Sequence, residues 1–209
     1  MTSLPKKCVV ALDSFKDALP SEEVCEAVAR GVRRACPDME VVTFPLADGG
    51  EGTARLLTRH NRGDWRTFEV KGPRQQTLQA GLGLSPDGRT AFLDLAEASG
   101  LHHLPDAQRD PEKTTTYGTG ELIRHALDLG ARRIFLGLGG SATNDCGMGM
   151  AAALGYGFLD GEGKEVEPVG GKLSHVQRID AGGADPRLAA TEFLLACDVD
   201  NPLYGPTGA

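Results

Sequence analysis

The chain has 209 residues, of which 40% are apolar and 24% are charged, and 22 basic against 29 acidic side chains give a formal net charge of −7. This apolar share is enough for a buried core at that length, which excludes wholesale disorder. The acidic balance argues against nucleic acid as the main partner, because binding a phosphate backbone needs a clustered basic surface. No apolar run approaches the roughly 20 residues of a membrane span, and the first residues lack a hydrophobic signal segment. We therefore expect a cytoplasmic protein without membrane contact.

Five short apolar runs predict buried strands. Mostly continuous runs, rather than alternating ones, are typical of parallel strands that are covered on both faces. The five runs span residues 7–12, 40–47, 90–96, 133–138 and 192–197.

Helical patterns lie between several of these strands. One runs from Ser21 to Ala35, with Ser21 as the expected N-cap and Pro37 just beyond its end. The segment 65–84 alternates around a Gly-Pro pair, which predicts antiparallel strands. The fold class is therefore α/β, with a mainly parallel sheet, helices on both faces and some antiparallel strands. The other predicted helices span residues 52–60, 121–129 and 145–154.

Acidic residues follow four of the five predicted strands. Because ligands of open α/β sheets bind beyond the carboxyl ends of the strands, these acids are expected near one site. Any one of them could instead cap a helix, but four that converge would repel each other unless cations were present. The pattern fits Mg²⁺-dependent phosphoryl chemistry, in which carboxylates hold metal and accept a hydroxyl proton. The four acids are Asp13, Asp48, Glu97 and Asp198.

Two short motifs follow the first two strands. Asp-Ser-Phe-Lys, starting at Asp13, groups a carboxylate, a hydroxyl and an ammonium that could bind a hydroxy acid. A capped turn with a solvated lysine explains this motif equally well. In the second motif, Gly49 and Gly50 would let backbone amides face a ligand at a helix N-terminus. A glycine turn capped by Asp48 does not explain why Glu51 interrupts the glycines, so we interpret this motif as functional.

The densest glycine motif, over 137–145, follows the fourth strand. Gly137, Gly139 and Ala142 match the spacing of a dinucleotide fingerprint, and Asp160 stands near the expected position of its ribose-binding acid. The alternative function is therefore an NAD(P)-dependent hydroxy-acid dehydrogenase. A single match of this kind is a weak signal, and it leaves the four strand-end acids without a role.

The last strand ends at a possible catalytic acid. Asp198 continues directly from this strand, and Pro202 forces Asn201 out of helical geometry, so the acid and the amide are expected on a fixed turn. The structural alternative is a common Asx turn. Asp198 is our best candidate for a general base.

Cysteine and histidine do not form a recognisable metal motif. The five cysteines lack metal-ligand spacing and are predicted to be buried free thiols. The only histidine doublet, His102 and His103, has no carboxylate or cysteine at ligand spacing, and we interpret it as a surface loop.

Together these motifs resemble the bacterial type 1 glycerate kinase family. The resemblance covers essentially the whole chain from Lys7 onward, and one departure is Cys146, where the family usually continues with glycine. It implies ATP-dependent phosphorylation of D-glycerate with Mg²⁺, with the 2-phosphate favoured. The motifs, in order, are DSFK at 13–16, ADGGEGT at 47–53, EASGL at 97–101, TTYGTGELI at 115–123, GLGGSATND at 137–145 and CDVDNPLYGPTGA at 197–209.

We infer a role for each residue at these motif positions. Asp198 is the expected general base for the substrate hydroxyl, with Asp48 as the alternative, and Lys16 is expected to neutralise the glycerate carboxylate or the transferring phosphoryl group. Expected substrate contacts are Asp13, Ser14, Gly49, Gly50 and Asn201. Expected contacts to nucleotide phosphates are Gly139, Gly140, Ser141 and Asn144. Expected metal ligands are Asp198 and Glu51.

The resemblance also implies a domain organisation. Family members are considerably longer, so we expect 1–62 to begin a discontinuous flavodoxin-like domain and 63–209 to form a second, inserted α/β domain. The rest of the first domain would be absent from this chain, and a ligand-binding but inactive kinase fragment is a third interpretation. Strands 7–12 and 40–47 would then lose neighbours, so we expect self-association or a companion C-terminal segment.

Overall fold

The computed structural model describes residues 6–15, 18–197, 199, 202 and 205–207. The chain divides into two compact units, Met1–Asp48 and Gly49–Ala209. The division falls after Asp48, and the helix over Thr53–His60 belongs to the second unit. The wider assignment of 1–62 to a discontinuous domain stays a prediction.

The first unit is one parallel strand pair with a helix. Strands β1 (Lys7–Val10) and β2 (Glu40–Thr43) pair in parallel, and helix α1 (Ser21–Ala35) connects them. Its small core consists of Val10, Cys25 and Ala29, packed against Cys8, Leu12 and Val41. All five cysteines are free thiols, but only Cys25 is buried, so the predicted burial is wrong for the other four.

The predicted N-cap of α1 is wrong by one position. Pro20 occupies the N-cap with an extended backbone, and Ser21 is the first helical residue. No side-chain cap is made here, because the side chain of proline has no hydrogen-bond acceptor.

The second unit is built on a five-stranded mixed sheet in the order β3-β4-β5-β6-β9. The pairs β3–β4 and β4–β5 are antiparallel, whereas β5, β6 and β9 run parallel to one another. The antiparallel strands predicted in 65–84 and the α/β class are therefore confirmed. The bounds are β3 (Asp64–Lys71), β4 (Thr77–Leu84), β5 (Thr90–Asp94), β6 (Arg133–Gly137) and β9 (Glu192–Ala196).

Helices cover both faces of this sheet. Ala91 and Leu93 of β5 belong to the main core together with Leu122 of helix α4 (Tyr117–Asp128). Because successive strand residues point to opposite faces, Asp94 faces the other side, where it contacts helix α2 (Thr53–His60). The remaining helices of the unit are α3 (Ala96–Ser99) and α5 (Met148–Ala153), and β7 (Gly157–Leu159) pairs with β8 (Arg178–Asp180) as a separate antiparallel pair.

Helices α4 and α5 begin several residues from their predicted starts. Helix α4 starts at Tyr117 rather than at 121. Its first turn was not predicted, because it contains Gly118 and Gly120 and glycine has a low helix propensity. Gly118 is required there, since a Cβ at this position would lie 1.7 Å from the carbonyl oxygen of Lys71. Helix α5 starts at Met148 rather than at 145. Within the described residues, no helix combines the length and apolarity that crossing a membrane requires.

Candidate functional site

The carboxyl ends of the parallel strands meet the glycine loop that leads into α2. Gly137 ends β6 and Ala196 ends β9, and the loop starting at Gly49 lies directly against both. The amide of Gly139 donates to the carbonyl oxygen of Gly49 at 3.1 Å, and the amide of Leu138 donates to the carbonyl oxygen of Ala196 at 3.1 Å. The expected gathering of motifs at this edge of the sheet is thus present in the second unit.

Only glycine fits at three of these positions. Gly49 has a φ of +100°, and a Cβ there would lie 2.9 Å from the carbonyl oxygen of Ala196. A Cβ at Gly137 would lie 2.6 Å from the carbonyl oxygen of Gly49, and one at Gly139 would lie 2.6 Å from the Cα of Gly50. The two glycine motifs therefore exist as a pair, because each leaves room for the backbone of the other.

Asp94 binds the loop that leads from Gly49 into α2. It is the last residue of β5 and 1% exposed, and its two oxygens accept hydrogen bonds from the amides of Gly52 and Ala54, each at 2.9 Å. Burial raises the pKa of Asp94 to about 7, although these two hydrogen bonds act to lower it. The sequence prediction missed this residue, and the available signal was an acid inside an otherwise apolar strand.

Glu51 lies at the exposed rim of the glycine loops. Its Oε1 accepts a hydrogen bond from Nδ1 of His102 at 3.1 Å. A Cβ at Gly140, where φ is +72°, would lie 2.9 Å from the same oxygen, so glycine at this position admits the carboxylate. The prediction of a plain surface loop at His102 missed this contact.

The loop after β6 is held by hydrogen bonds to neighbouring segments and between its own side chains. The amide of Ala142 donates to the carbonyl oxygen of Ser99 at 2.8 Å, and the hydroxyls of Ser141 and Thr143 lie 2.9 Å apart. Asn144 is exposed to solvent. The predicted phosphate contacts in this loop stay predictions.

Asp145, at the end of the glycine motif, is a second buried carboxylate. It is 2% exposed, and its Oδ2 accepts hydrogen bonds from the amide of Thr116 at 2.8 Å and from the amide of Gly149 at 3.0 Å. It therefore ties the N-terminal end of α4 to that of α5. This structural role explains an acid at the end of the glycine motif.

The dinucleotide fingerprint lacks its expected context. The glycine spacing needs a helix that opens within the motif, but α5 begins only at Met148 and is 6 residues long. Asp160, the supposed ribose-binding acid, instead accepts hydrogen bonds from the amides of Glu162 and Lys164, both at 2.9 Å. The dehydrogenase alternative is therefore not favoured.

Glu97 makes contacts that stabilise the fold. It lies in α3, where its Oε1 pairs with Arg55 at 3.3 Å and its Oε2 accepts from the amide of Gly81 at 3.0 Å. The guanidinium of Arg55 also stacks over the ring of Trp65 at 4.0 Å. Each carboxylate oxygen of Glu97 thus has a partner within the fold.

The other predicted residues divide between the first unit and the undescribed positions. Asp13 is partly buried and accepts a hydrogen bond from the amide of Ser14 at 2.5 Å, and Asp48 is exposed at the end of the first unit. That these residues share a pocket with Gly49 and Gly50 stays a prediction. Lys16, Asp198 and Asn201 lie outside the described residues.

The metal prediction can be examined at Glu51. Among the described residues, no three or more His, Cys, Asp or Glu side chains form a metal-binding group. Mg²⁺ in phosphoryl-transfer sites is usually held by one or two carboxylates plus phosphate oxygens and water, so a dense protein cluster is not needed. Glu51, half exposed beside the glycine loops, fits the role of one such carboxylate.

Two surface cavities lie away from this edge of the sheet. One of about 710 Å³ opens beside the β7–β8 pair, where Asp160, Lys164, Glu167, Lys172 and His175 line it. Both signs of charge are mixed there, and the cavity contains none of the glycine motifs. We therefore place the candidate site by its chemistry rather than by cavity size.

Known proteins match nearly the whole chain. The model of the glycerate kinase family matches residues 8–209. A glycerate kinase of Bacillus cereus is 51% identical over 203 residues, and a glycerate 2-kinase of Escherichia coli is 47% identical over 203 residues. Both alignments cover 97% of this chain and 53% of the relative, so the chain spans about half the length of the curated relatives it matches.

A solved structure agrees with the fold. A crystal structure from Salmonella typhimurium, of a protein assigned as a glycerate kinase 2, is 48% identical and superposes with a TM-score of 0.83. The match covers 97% of this chain and 54% of that one.

Proposed function

Because the chain belongs to the glycerate kinase family, we propose that it acts in the ATP-dependent phosphorylation of D-glycerate in the cytoplasm, with 2-phosphoglycerate as product. The structural observation that carries this proposal is the close packing of two glycine motifs at the carboxyl ends of β5, β6 and β9. Ligands of α/β sheets bind at such edges, and closely approaching backbone suits phosphate groups.

The proposed reaction is a direct in-line transfer. The substrate hydroxyl oxygen forms a bond to the γ-phosphorus of ATP, the bond from that phosphorus to the bridging oxygen breaks, and ADP leaves. Asp198 accepts the hydroxyl proton, with Asp48 as the alternative base. Mg²⁺, when bound, offsets the charge of the transferring phosphoryl group.

The remaining roles concern binding and alignment. Lys16 neutralises the glycerate carboxylate or the phosphoryl group, and Glu51 serves with Asp198 as metal ligand. The glycerate pocket is formed by Asp13, Ser14, Gly49, Gly50 and Asn201. The nucleotide phosphates are held by Gly139, Gly140, Ser141 and Asn144.

The test is an ADP-release assay with D-glycerate and ATP, run beside an absorbance assay with NAD(P) and the same substrate. Both use the 209-residue chain and the same chain joined to the remaining residues of the Escherichia coli relative. ADP release that needs glycerate supports the proposal. Release by the joined chain alone would mean that the 209 residues form an inactive part of a kinase.

Variants of the acids test the assignment of the base. Asp198→Asn or Asp48→Asn should lower the turnover rate by roughly 10²- to 10⁴-fold, the usual effect of losing a general base. Asp87→Asn is the matched control, because Asp87 is exposed in the turn before β5. Near-normal turnover in both of the first two variants would rule out an aspartate base at these positions.

A further inference from the structure

Asp94 is a buried acid to which the proposed reaction gives no role. Its Oδ2 lies 2.9 Å from the amide nitrogen of Gly52, and its Oδ1 lies 2.9 Å from that of Ala54. These are amides at the start of α2, which have no partner within the helix. The carboxylate therefore satisfies two buried donors at the point where the glycine loop becomes helix.

Neighbouring residues leave space for Asp94 and hold the other end of the same loop. Gly137 leaves room for it, because a Cβ there would lie 2.8 Å from Oδ1 of Asp94. The hydroxyl of Thr53, which is 5% exposed, accepts a hydrogen bond from the amide of Gly49 at 3.2 Å. The loop is thus held at Gly49 by Thr53 and at Gly52 by Asp94, with Gly50 between them.

We propose that Asp94 is a positioning residue that holds the backbone of residues 49–54 in the conformation in which Gly49 and Gly50 receive the substrate. The catalytic part of this inference rests on the proposed function. Its structural part, the control of the loop by Asp94, does not.

The charged groups around Asp94 make its ionisation observable near neutral pH. Its pKa is about 7, raised chiefly by burial and to a smaller extent by Glu97 on α3, and lowered in part by the two amide hydrogen bonds and by Arg55 on α2. The ionised carboxylate accepts from both amides, whereas the neutral acid has a hydroxyl that competes with one of them. The hydrogen bonds from the amides of Gly52 and Ala54 to Asp94 should therefore strengthen as pH rises from 6 to 8.

The experiment compares Asp94→Asn with the wild type by amide hydrogen exchange, resolved by NMR, on the 209-residue chain. Asparagine keeps one acceptor but turns its NH₂ group toward the second amide. The amides of Gly52 and Ala54 should exchange roughly 10- to 100-fold faster in the variant, the range expected for losing a hydrogen bond to a charged group. The amides of Leu122 and Ile123 in the core of α4 report the global stability, so the faster exchange at Gly52 and Ala54 is measured relative to theirs.

Steady-state kinetics supply the second readout, on whichever form of the wild-type chain phosphorylates glycerate. Asp94→Asn should lower kcat/KM for glycerate by roughly 10- to 100-fold. The wild type should show a rise in kcat/KM between pH 6 and pH 8, and the variant should lack it. A purely structural role would lower the yield of folded protein without removing this pH dependence.

Unchanged exchange at Gly52 and Ala54 in a folded Asp94→Asn chain would overturn the inference, as would an unchanged pH profile. If the variant does not fold, the wild type alone tests the inference. In that case the protection of the amides of Gly52 and Ala54 should decrease when the pH is lowered below 7. If no form of the wild type phosphorylates glycerate, the proposed function fails, and the exchange experiment still decides the role of Asp94 in the loop.

Discussion

Nδ1 of His102 lies 3.1 Å from Oε1 of Glu51, and this contact joins the turn after α3 to the glycine loop before α2. Because a carboxylate only accepts, the imidazole is the donor. Gly100 makes room for the ring, since a Cβ there would lie 2.8 Å from Nδ1 of His102. The ring also packs against that of His103, with the centroids 3.9 Å apart.

If Glu51 binds Mg²⁺ as proposed, His102 should affect the metal dependence of the reaction. His102→Ala should raise the Mg²⁺ concentration for half-maximal rate by about two- to fivefold, the range for one exposed charged contact. His102→Asn places an amide donor near the position of Nδ1 and should restore the wild-type value. His175→Ala, at a remote histidine beside the β7–β8 pair, is the control. Equal metal dependence in all four proteins would contradict the role of this contact.

Gly49 should tolerate alanine worse than a glycine of similar backbone in open space. Gly49 and Gly130 have φ values of +100° and +98°, but a Cβ at Gly130 meets no atom within 4 Å. Both substitutions strain the backbone, and only Gly49→Ala also presses against the carbonyl oxygen of Ala196. Gly49→Ala should therefore lower the free energy of unfolding in urea by about 1–3 kcal/mol more than Gly130→Ala. Equal losses would mean that the two glycine motifs do not pack as described.

The buried carboxyl of Asp94 should make the chain less stable as pH rises. Its pKa is about 7 in the folded chain, against an ordinary value of 3.8 that applies when the chain unfolds. The folded chain therefore binds the extra proton between these values, and the free energy of unfolding falls as pH rises from 4 to 7. Relative to Asp94→Asn, the wild type should lose up to roughly 4 kcal/mol over this range.

Urea unfolding at pH 4, 5, 6 and 7 measures this difference. Asp87→Asn is the control, because a hydrogen bond from the Ser85 hydroxyl and one from the Arg89 amide hold the pKa of Asp87 below its ordinary value. Its difference from the wild type should stay constant over these pH values. A constant difference for Asp94→Asn as well would show that Asp94 is not protonated by burial near pH 7.

The free edge of β9 should promote association. Among the described strands β9 pairs only with β6, and its large apolar side chains are exposed: Phe193 by 39%, Leu194 by 41% and Leu195 by 62%. Successive side chains point to opposite faces, so both faces of this strand are uncovered. Uncovered edges with apolar side chains favour pairing with another chain. We expect the 209-residue chain to self-associate or to bind a companion segment here.

Sedimentation velocity at several concentrations tests this expectation. Leu195→Lys should reduce association, because it places a charge on the open face of the edge strand. Leu129→Lys is the matched control, since Leu129 is 39% exposed as a single apolar residue after α4. A wild-type chain that stays monomeric at high concentration would contradict the expectation.

The sequence predicts the elements of this fold better than their ends. The five apolar runs all contain strands. Their predicted burial holds for β5 and β6 but is wrong for β1, β2 and β9, which have at most one buried residue each. The start of α4 was missed because Gly118 is placed by a tertiary contact with β3, which no local pattern contains. Likewise, Pro20 rather than Ser21 precedes the first turn of α1.

The candidate site could be predicted as a location more readily than as a set of contacts. Glycine motifs after predicted strands indicate the carboxyl edge of the sheet, and Gly49 and Gly137 do meet there. Asp94 and His102 were missed, because their partners lie 42 and 51 residues away in the chain. Pairings over such distances depend on how the elements pack, so a motif search cannot find them.

The most direct test of the proposed function is ³¹P NMR of the product formed from ATP and D-glycerate by the chain joined to the remaining residues of its Escherichia coli relative. Phosphate on C2 couples to one proton and gives a doublet, whereas phosphate on C3 couples to two protons and gives a triplet. We predict a new doublet that grows in step with ADP and requires glycerate. A spectrum without a glycerate-dependent phosphoester, despite a folded protein, would contradict glycerate phosphorylation, and a triplet would contradict the 2-phosphate assignment.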